Sequence, residues 1–249
     1  MKTNEIIMLE EISMNAHPAL FTEIYDRWIL RYANGYTYRA NSISPLYLSS
    51  VSIEDKIEEC EKRYYEKGLP CIYKLTEAAE KGLDSALERR GYEKKALSKI
   101  YVAELKGNYV ENTKIRCTFS VDDRWINDFI KLDGINSDSD KGIAIQITKS
   151  INRPVICASA YEDAKFVACG LGIIERGYVG LFDIRVDENF RRKGYGSDIC
   201  KEIMRQAKLM GINKSYLQVS STNNGAINMY ENIGYKLAYD YWYRVKENK

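Results

Sequence analysis

One short stretch constrains this chain more than any other. A strand-like run, Tyr178 to Val186, passes through Asp187-Glu188-Asn189-Phe190 into Arg191-Arg192-Lys193-Gly194-Tyr195-Gly196-Ser197, and a helix follows. Ile199, Ile203, Ala207 and Met210 fall at helical spacing, with Cys200 and Met204 beside them, and Gly211 supplies a stop. The first turn of such a helix has N–H groups without intrahelical partners, and its dipole adds partial positive charge. Glycines let the backbone come close to an anion, and three basic side chains add charge. A pyrophosphate fits here; the alternative is a solvated basic turn whose glycines only shape it. The GxxxxGK[ST] loop is absent, and a dinucleotide GxGxxG loop would need another glycine order.

Composition narrows the chemistry. The 249 residues suit one large domain or two ordinary ones. A net charge of +2 gives no electrostatic case for nucleic acid or a membrane surface as partner. No apolar run approaches the ~18 residues of a membrane span, and Met1 to Glu11 lacks the apolar core of a signal peptide. The six cysteines include no CxxC pair, so neither a metal site nor a disulfide framework is expected, and reduced thiols point to the cytoplasm. The single histidine, His17, excludes a histidine triad or a two-histidine metal site. It reads as an ordinary residue of the turn Asn15-Ala16-His17-Pro18.

The organisation is bipartite. Residues 107–114 are polar and rich in turn formers, so the reading is 1–106, a linker at 107–114, and 115–249. The second part predicts helices Val121 to Lys131 and Asp140 to Ser150, then strands Val155 to Ala160 and Lys165 to Ile174. A hairpin turn at Glu175-Arg176-Gly177 leads to strand Tyr178 to Val186. After the basic turn and its helix come strand Ser215 to Val219, helix Asn224 to Asn232 and strand Tyr235 to Arg244. The first part ends in a similar order: strand Thr37 to Ile43, helix Ile53 to Glu66, strand Cys71 to Thr76, helix Leu83 to Arg90, strand Lys99 to Glu104. Leu87-Glu88-Arg89-Arg90-Gly91-Tyr92 parallels Tyr230-Glu231-Asn232-Ile233-Gly234-Tyr235 at the same place in that order. An internal duplication follows from this.

A second motif gives the first its meaning. Val219 is followed by Asn223, Ala226, Met229-Tyr230-Glu231 and Gly234-Tyr235. With the basic glycine turn before it, this pattern resembles the GNAT superfamily of N-acetyltransferases, with Met229 where leucine is usual. The resemblance covers roughly Arg116 to Lys246. It implies an α/β fold with a mixed central sheet flanked by helices, here a tandem of two GNAT-like halves. It also implies acetyl-CoA as co-substrate. The pyrophosphate would lie on Arg191, Arg192, Lys193, Gly194, Tyr195, Gly196 and Ser197. The pantetheine arm would pair with the backbone of Ile184, Arg185 and Val186, near Asn223.

The same resemblance, joined to chemistry, places Tyr230 as the acid. Amine attack on a thioester expels a thiolate, and a phenol of pKa ~10 can deliver a proton to it. The alternative is a tyrosine that packs its helix onto the sheet. For the base, Asp183 and Glu175 are candidates, with Asp183 acting through water. One common family position falls on Gly180, which cannot serve.

The first half has neither feature. Ser44 to Ser52 holds no glycine and no basic residue, and Leu87 stands where Tyr230 would. It reads as a degenerate half without cofactor. Trp28 to Ser42 resembles a segment of certain bacterial two-domain members. Asn34, Tyr36, Arg39 and Asn41 either face an acceptor cleft or simply alternate along a strand. The expectation is acetyl transfer to a primary amine, on a small molecule or a peptide, by a monomer or homodimer. The alternatives are a CoA-binding sensor or scaffold without turnover, or an interaction module without cofactor.

Overall fold

The computed structural model describes residues 1–107 and 109–248. In chain order the elements are α1 (Thr3–Ala16), β1 (Phe21–Tyr25), β2 (Trp28–Tyr32), β3 (Ile43–Ser44), α2 (Ile53–Tyr65), β4 (Cys71–Thr76), α3 (Leu83–Arg89) and β5 (Glu93–Glu104). Then follow β6 (Ile115–Thr118), α4 (Asp123–Asp133), α5 (Asp138–Lys149), β7 (Val155–Glu162), β8 (Lys165–Glu175), β9 (Tyr178–Val186), α6 (Tyr195–Leu209), β10 (Lys214–Ser220), α7 (Asn224–Asn232) and β11 (Lys236–Lys246). Two units emerge. One holds Met1–Lys99 and the chain from Tyr239 on; the other holds Ile100–Ala238.

That division differs from the boundaries 1–106 and 115–249. The reason is β11. Its residues Tyr241 to Lys246 pair antiparallel with Thr76 to Cys71 of β4, so the last strand completes the first unit. The strand order there is β1-β2-β3-β4-β11. Trp28, Leu30, Ile43, Ile57, Tyr64, Tyr73, Leu75 and Leu87 form its core. Expectations differ from the structure at three places here. Helix α1 was not foreseen, although Ile6, Leu9, Ile12 and Ala16 give it a buried stripe. The strand expected over Thr37 to Ile43 shrinks to Ile43–Ser44. The reason is Asn41, whose Oδ1 accepts from the N–H of Ala33 (2.7 Å) and Gly35 (2.9 Å) while its Nδ2 donates to Thr37 O at 2.9 Å, folding the segment into turns. Asn41 is 2% exposed and holds its own loop. And His17, read as an ordinary turn residue, caps α1 and is half-buried, with Nε2 closed to solvent and unpartnered.

The second unit carries the order β5-β10-β9-β8-β7-β6. Strands β6 to β9 are antiparallel and β9–β10 is parallel, which makes the sheet mixed. Helix α6 lies on one face, and two glycines let it come close. A Cβ on Gly170 would stand 2.5 Å from Ile199 Cγ2, and one on Gly172 would stand 2.4 Å from Ile203 Cγ2. Helix α4 serves the other face, where Trp125 Nε1 donates to Ala158 O at 3.5 Å. Its start is fixed by Asp122, which accepts from Trp125 N at 2.7 Å, and its stop by Gly134 at φ 74°.

The duplicated hexapeptide reappears as geometry. Tyr92 N donates to Leu87 O at 3.1 Å and Gly91 N to Glu88 O at 2.9 Å. Tyr235 N donates to Tyr230 O and Gly234 N to Glu231 O, both at 3.0 Å. Gly91 and Gly234 have φ of 82° and 99°, the left-handed stop that a side chain resists.

Candidate active site

The centre of the second unit is a gap between two parallel strands. β9 and β10 pair from Tyr178↔Lys214 to Leu181↔Leu217 and no further. Beyond that point Phe182 to Val186 and Gln218 to Ser220 diverge. The cause lies one strand over. Leu171 pairs with Phe182 and Cys169 with Arg185, so Asp183 and Ile184 together oppose Gly170 alone. This is a β-bulge, with Asp183 at φ 51°. Cys169 Sγ donates to Asp183 O at 3.7 Å. The bulge turns the edge of β9 away from β10, and past it Ile184 O accepts from Arg185 Nη1 at 3.2 Å and Val186 O from Arg191 Nε at 3.4 Å.

At the end of β9 the basic turn takes shape. Asp187 accepts from Asn189 N at 2.9 Å and pairs with Lys165 at 2.7 Å, which holds its carboxyl below the usual range. The Lys165 ion pair is the leading cause, with the Asn189 hydrogen bond second. Arg192 (φ 62°) and Gly194 (φ 93°) then reverse the chain into α6. Gly194 is the N-cap and offers no side-chain cap to the first-turn N–H groups of α6. Arg191, Arg192 and Lys193 are exposed around them. Lys193 Nζ sits 4.6 Å from the ring centroid of Phe190. Gly196 has a separate reason to be glycine: a Cβ there would stand 3.0 Å from Met229 Sδ on α7. Tyr195 donates its hydroxyl to Glu162 at the end of β7, and that carboxylate pushes the phenol pKa up to about 12.

Tyr230 lies on α7, 7% exposed, its ring edge-on to Tyr235 at 6.0 Å. Among the described residues nothing hydrogen-bonds its hydroxyl. Burial raises its pKa well above the ordinary phenol value, Cys200 adds to that, and the Arg185 guanidinium works against it. Asn223 is the N-cap of α7, with Oδ1 accepting from Ala226 N at 3.1 Å. Glu175 stands at the opposite end of β9 from the bulge, opposite Tyr178 and paired with Arg153 at 3.1 Å. Gly180 is closed to any side chain, since a Cβ would meet Phe182 and Tyr216 at 2.5 and 2.6 Å.

Three features at this site escaped the sequence reading. One is the ion pair of Arg185 Nε with Asp133, at the end of α4. The second is the Tyr195–Glu162 contact. The third is Gln218, the first residue of β10 past the paired stretch. Only Gly170 hinted at the bulge. Among the described residues no cluster of His, Cys, Asp or Glu could hold a metal ion, and no helix is long and apolar enough to cross a membrane.

A splayed parallel pair ending at an uncapped helix, behind a basic glycine turn, defines the GNAT class of acyl-CoA-dependent N-acetyltransferases. A family model described as "Probable histone acetyltransferase Rv0428c C-terminal" matches residues 3–244, and the chain belongs to that family. The uncharacterized N-acetyltransferase YobR of Bacillus subtilis is 29% identical over 98% of this chain and 99% of its own. N-alpha-acetyltransferase 30 of Dictyostelium discoideum is 32% identical, over 33% of this chain and 46% of its own. Among solved structures, a GCN5-related N-acetyltransferase from Kribbella flavida covers 96% of this chain and 95% of its own, with a TM-score of 0.70 at 12% identity. A tandem GNAT protein from the clavulanic acid biosynthesis pathway covers 79% and 70%, with a TM-score of 0.62 at 10% identity. Identities this low speak for the fold alone.

Proposed function

We propose that this chain transfers an acetyl group from acetyl-CoA to a primary amine by direct attack in a ternary complex. The observation that carries the reading is the gap where the β9–β10 pairing ends, followed in the chain by the basic turn and the N-terminus of α6, which has no side-chain cap. Bound in that gap, the co-substrate supplies an acetyl thioester. The backbone N–H groups of Arg192 to Ser197 hold its pyrophosphate, helped by the charge of Arg191, Arg192 and Lys193. Ile184, Arg185 and Val186 pair with the pantetheine arm as with an added strand. Asn223 meets the arm with its Nδ2, because its Oδ1 is spent on capping α7.

The amine loses a proton before attack, and Asp183 in the bulge accepts it through water. Tyr230 returns a proton to the leaving thiolate. Its raised pKa keeps the phenol protonated through neutral and alkaline pH, and the bound thioester must offset the acid strength that burial removes. The test is calorimetry with acetyl-CoA, then thiol release with a panel of primary amines. No heat at millimolar acetyl-CoA would sink the reading; heat without thiol release from any amine would leave a binding protein in place of an enzyme.

A further inference from the structure

Val186 O lies on the edge of β9 that the pantetheine arm would use, and it already has a donor. It shares one planar trans peptide with Asp187 N, so the two groups point opposite ways. Asp187 N donates to Val167 O on β8 at 2.8 Å. Val186 O therefore faces away from β8, toward the side on which β10 lies. The β9–β10 pairing ends at Leu181 and Leu217, well before it. What serves Val186 O instead is Arg191, whose Nε donates to it at 3.4 Å.

Local structure brings this arginine back. Asp187 accepts from Asn189 N at 2.9 Å, and Phe190 N donates to Asp187 O at 2.8 Å. The tight turn Glu188–Phe190 returns the chain and sets Arg191 beside the end of β9. The hold is light. The bond is long, and the second partner of the guanidinium, Glu188 at 3.4 Å, is a surface carboxylate; the two side chains are 60% and 82% exposed. Exposed pairs of this kind contribute little. Arg185, which covers Ile184 O at 3.2 Å, is also tied to Asp133 on α4. Of the two guanidinium groups on this edge, Arg191 is the one more easily drawn off.

It has a second place to go. Arg191 stands three residues before Gly194, the N-cap of α6, where N–H groups without a side-chain cap favour an anion. A diphosphate there attracts the guanidinium more strongly than one neutral carbonyl does, since hydrogen bonds between charged groups are about twice as strong. An arm that ends without a diphosphate gives no such pull. It has to compete with Arg191 for Val186 O, because both must reach that oxygen from its one open side. We propose that Arg191 is a specificity-determining residue: its guanidinium covers Val186 O until a diphosphate draws it off, so the β9 edge opens to acyl-CoA and stays covered against thioesters of bare pantetheine. This rests on the acetyl-transfer reading above.

The experiment measures by calorimetry how acetyl-CoA and acetyl-pantetheine, which lacks every phosphate, bind to the native protein, Arg191→Met and Arg192→Met. Methionine removes both charge and donor from an exposed position. Arg192 is the comparison, an exposed cation of the same turn that bonds no β9 carbonyl among the described residues. Arg191→Met raises the Kd for acetyl-CoA about tenfold and lowers that for acetyl-pantetheine about threefold or more. Arg192→Met also raises the first and leaves the second within about twofold of native. Opposite signs in one variant are what a purely attractive cation does not produce. Acetyl-pantetheine bound by Arg191→Met no better than by the native protein overturns the proposal, as does its binding to neither at millimolar concentration. An unchanged acetyl-CoA affinity in Arg191→Met overturns it too, since the diphosphate then does not draw the guanidinium. Equal tightening of acetyl-pantetheine by Arg192→Met assigns the effect to charge alone and overturns it as well. A native protein that binds no acetyl-CoA overturns the cofactor reading itself, and this one with it.

Discussion

Leu87 and Tyr230 hold the same position in two copies of one helix stop: the carbonyl of each accepts the N–H of the tyrosine five residues on, Tyr92 at 3.1 Å and Tyr235 at 3.0 Å. The frame is common to both units, and the hydroxyl at this position belongs only to the second. Tyr230→Phe keeps the ring, the helix and the T-shaped contact with Tyr235. If the hydroxyl is the acid, kcat should fall by about 10²-fold or more, with acetyl-CoA affinity unchanged. Steady-state kinetics beside calorimetry decides it, and equal activity in the variant would remove Tyr230 from the mechanism.

The pH profile gives a second test of the same group. Burial, the leading cause, raises the pKa of Tyr230. The protonated, proton-donating form thus persists through the alkaline range. The kcat profile of the native protein should show no loss from this phenol below about pH 10, where an ordinary tyrosine would begin to ionise. An alkaline limb near pH 9 that vanishes in Tyr230→Phe would contradict the direction of the shift.

Gly170 is where the bulge and helix α6 meet. A Cβ there would stand 2.5 Å from Cγ2 of the buried Ile199 and 2.6 Å from Cδ1 of the half-buried Ile184. Gly170→Ala should destabilise the protein by about 1–3 kcal/mol, the usual cost of overpacking. It should also weaken acetyl-CoA binding, because Ile184 cannot yield without moving the β9 edge. Chemical denaturation and calorimetry on one preparation test both; a variant as stable and as avid as the parent would show the contact to be soft.

The tie between Tyr195 and Glu162 fastens the basic turn to the end of β7. Tyr195→Phe and Glu162→Gln should each raise the KM for acetyl-CoA a few-fold and leave kcat near its native value, the pattern of lost positioning in binding alone. A drop in kcat with unchanged KM would place the tie in the chemical step instead.

His17 links stability to pH. Burial, then Arg39 and Arg31, hold its pKa well below 6.5. The unfolded chain takes up its proton near pH 6.5 and the folded chain only at lower pH. The stability it confers is complete above pH 6.5 and is lost as pH falls from there through the folded value. Each pH unit in that window is worth at most about 1.4 kcal/mol. His17→Gln should flatten the fall in melting temperature between pH 6.5 and 5.5, and parallel curves for the two proteins would count against it.

Much of the second unit could be read from residues alone. The basic turn, the amphipathic run of α6 and the Asn223 to Tyr235 motif are local, and local patterns survive in a single sequence. The bulge at Asp183 and Ile184 is different. It arises from the pairing of two strands, and nothing in Phe182 to Val186 announces that two residues will face Gly170 alone. Arg185 with Asp133, and Tyr195 with Glu162, join side chains that only the fold brings together. In the first unit the buried Glu10 is bonded to Lys74 at 2.5 Å and to Tyr239 at 2.9 Å, partners far apart in the chain. Helix α1 itself was legible in its apolar spacing. The boundary between units was not, because composition marks loops, and here the chain passes from one unit to the other inside strands β5 and β11.

That passage matters for stability. Strand β4 takes one of its two neighbours, β11, from a distant part of the chain. Without β11 the first unit is left with an unpaired strand edge, a surface prone to pairing with other chains. A proline in place of Arg244, which pairs with Tyr73 in the middle of that ladder, should therefore damage the half that lies farthest from it in sequence.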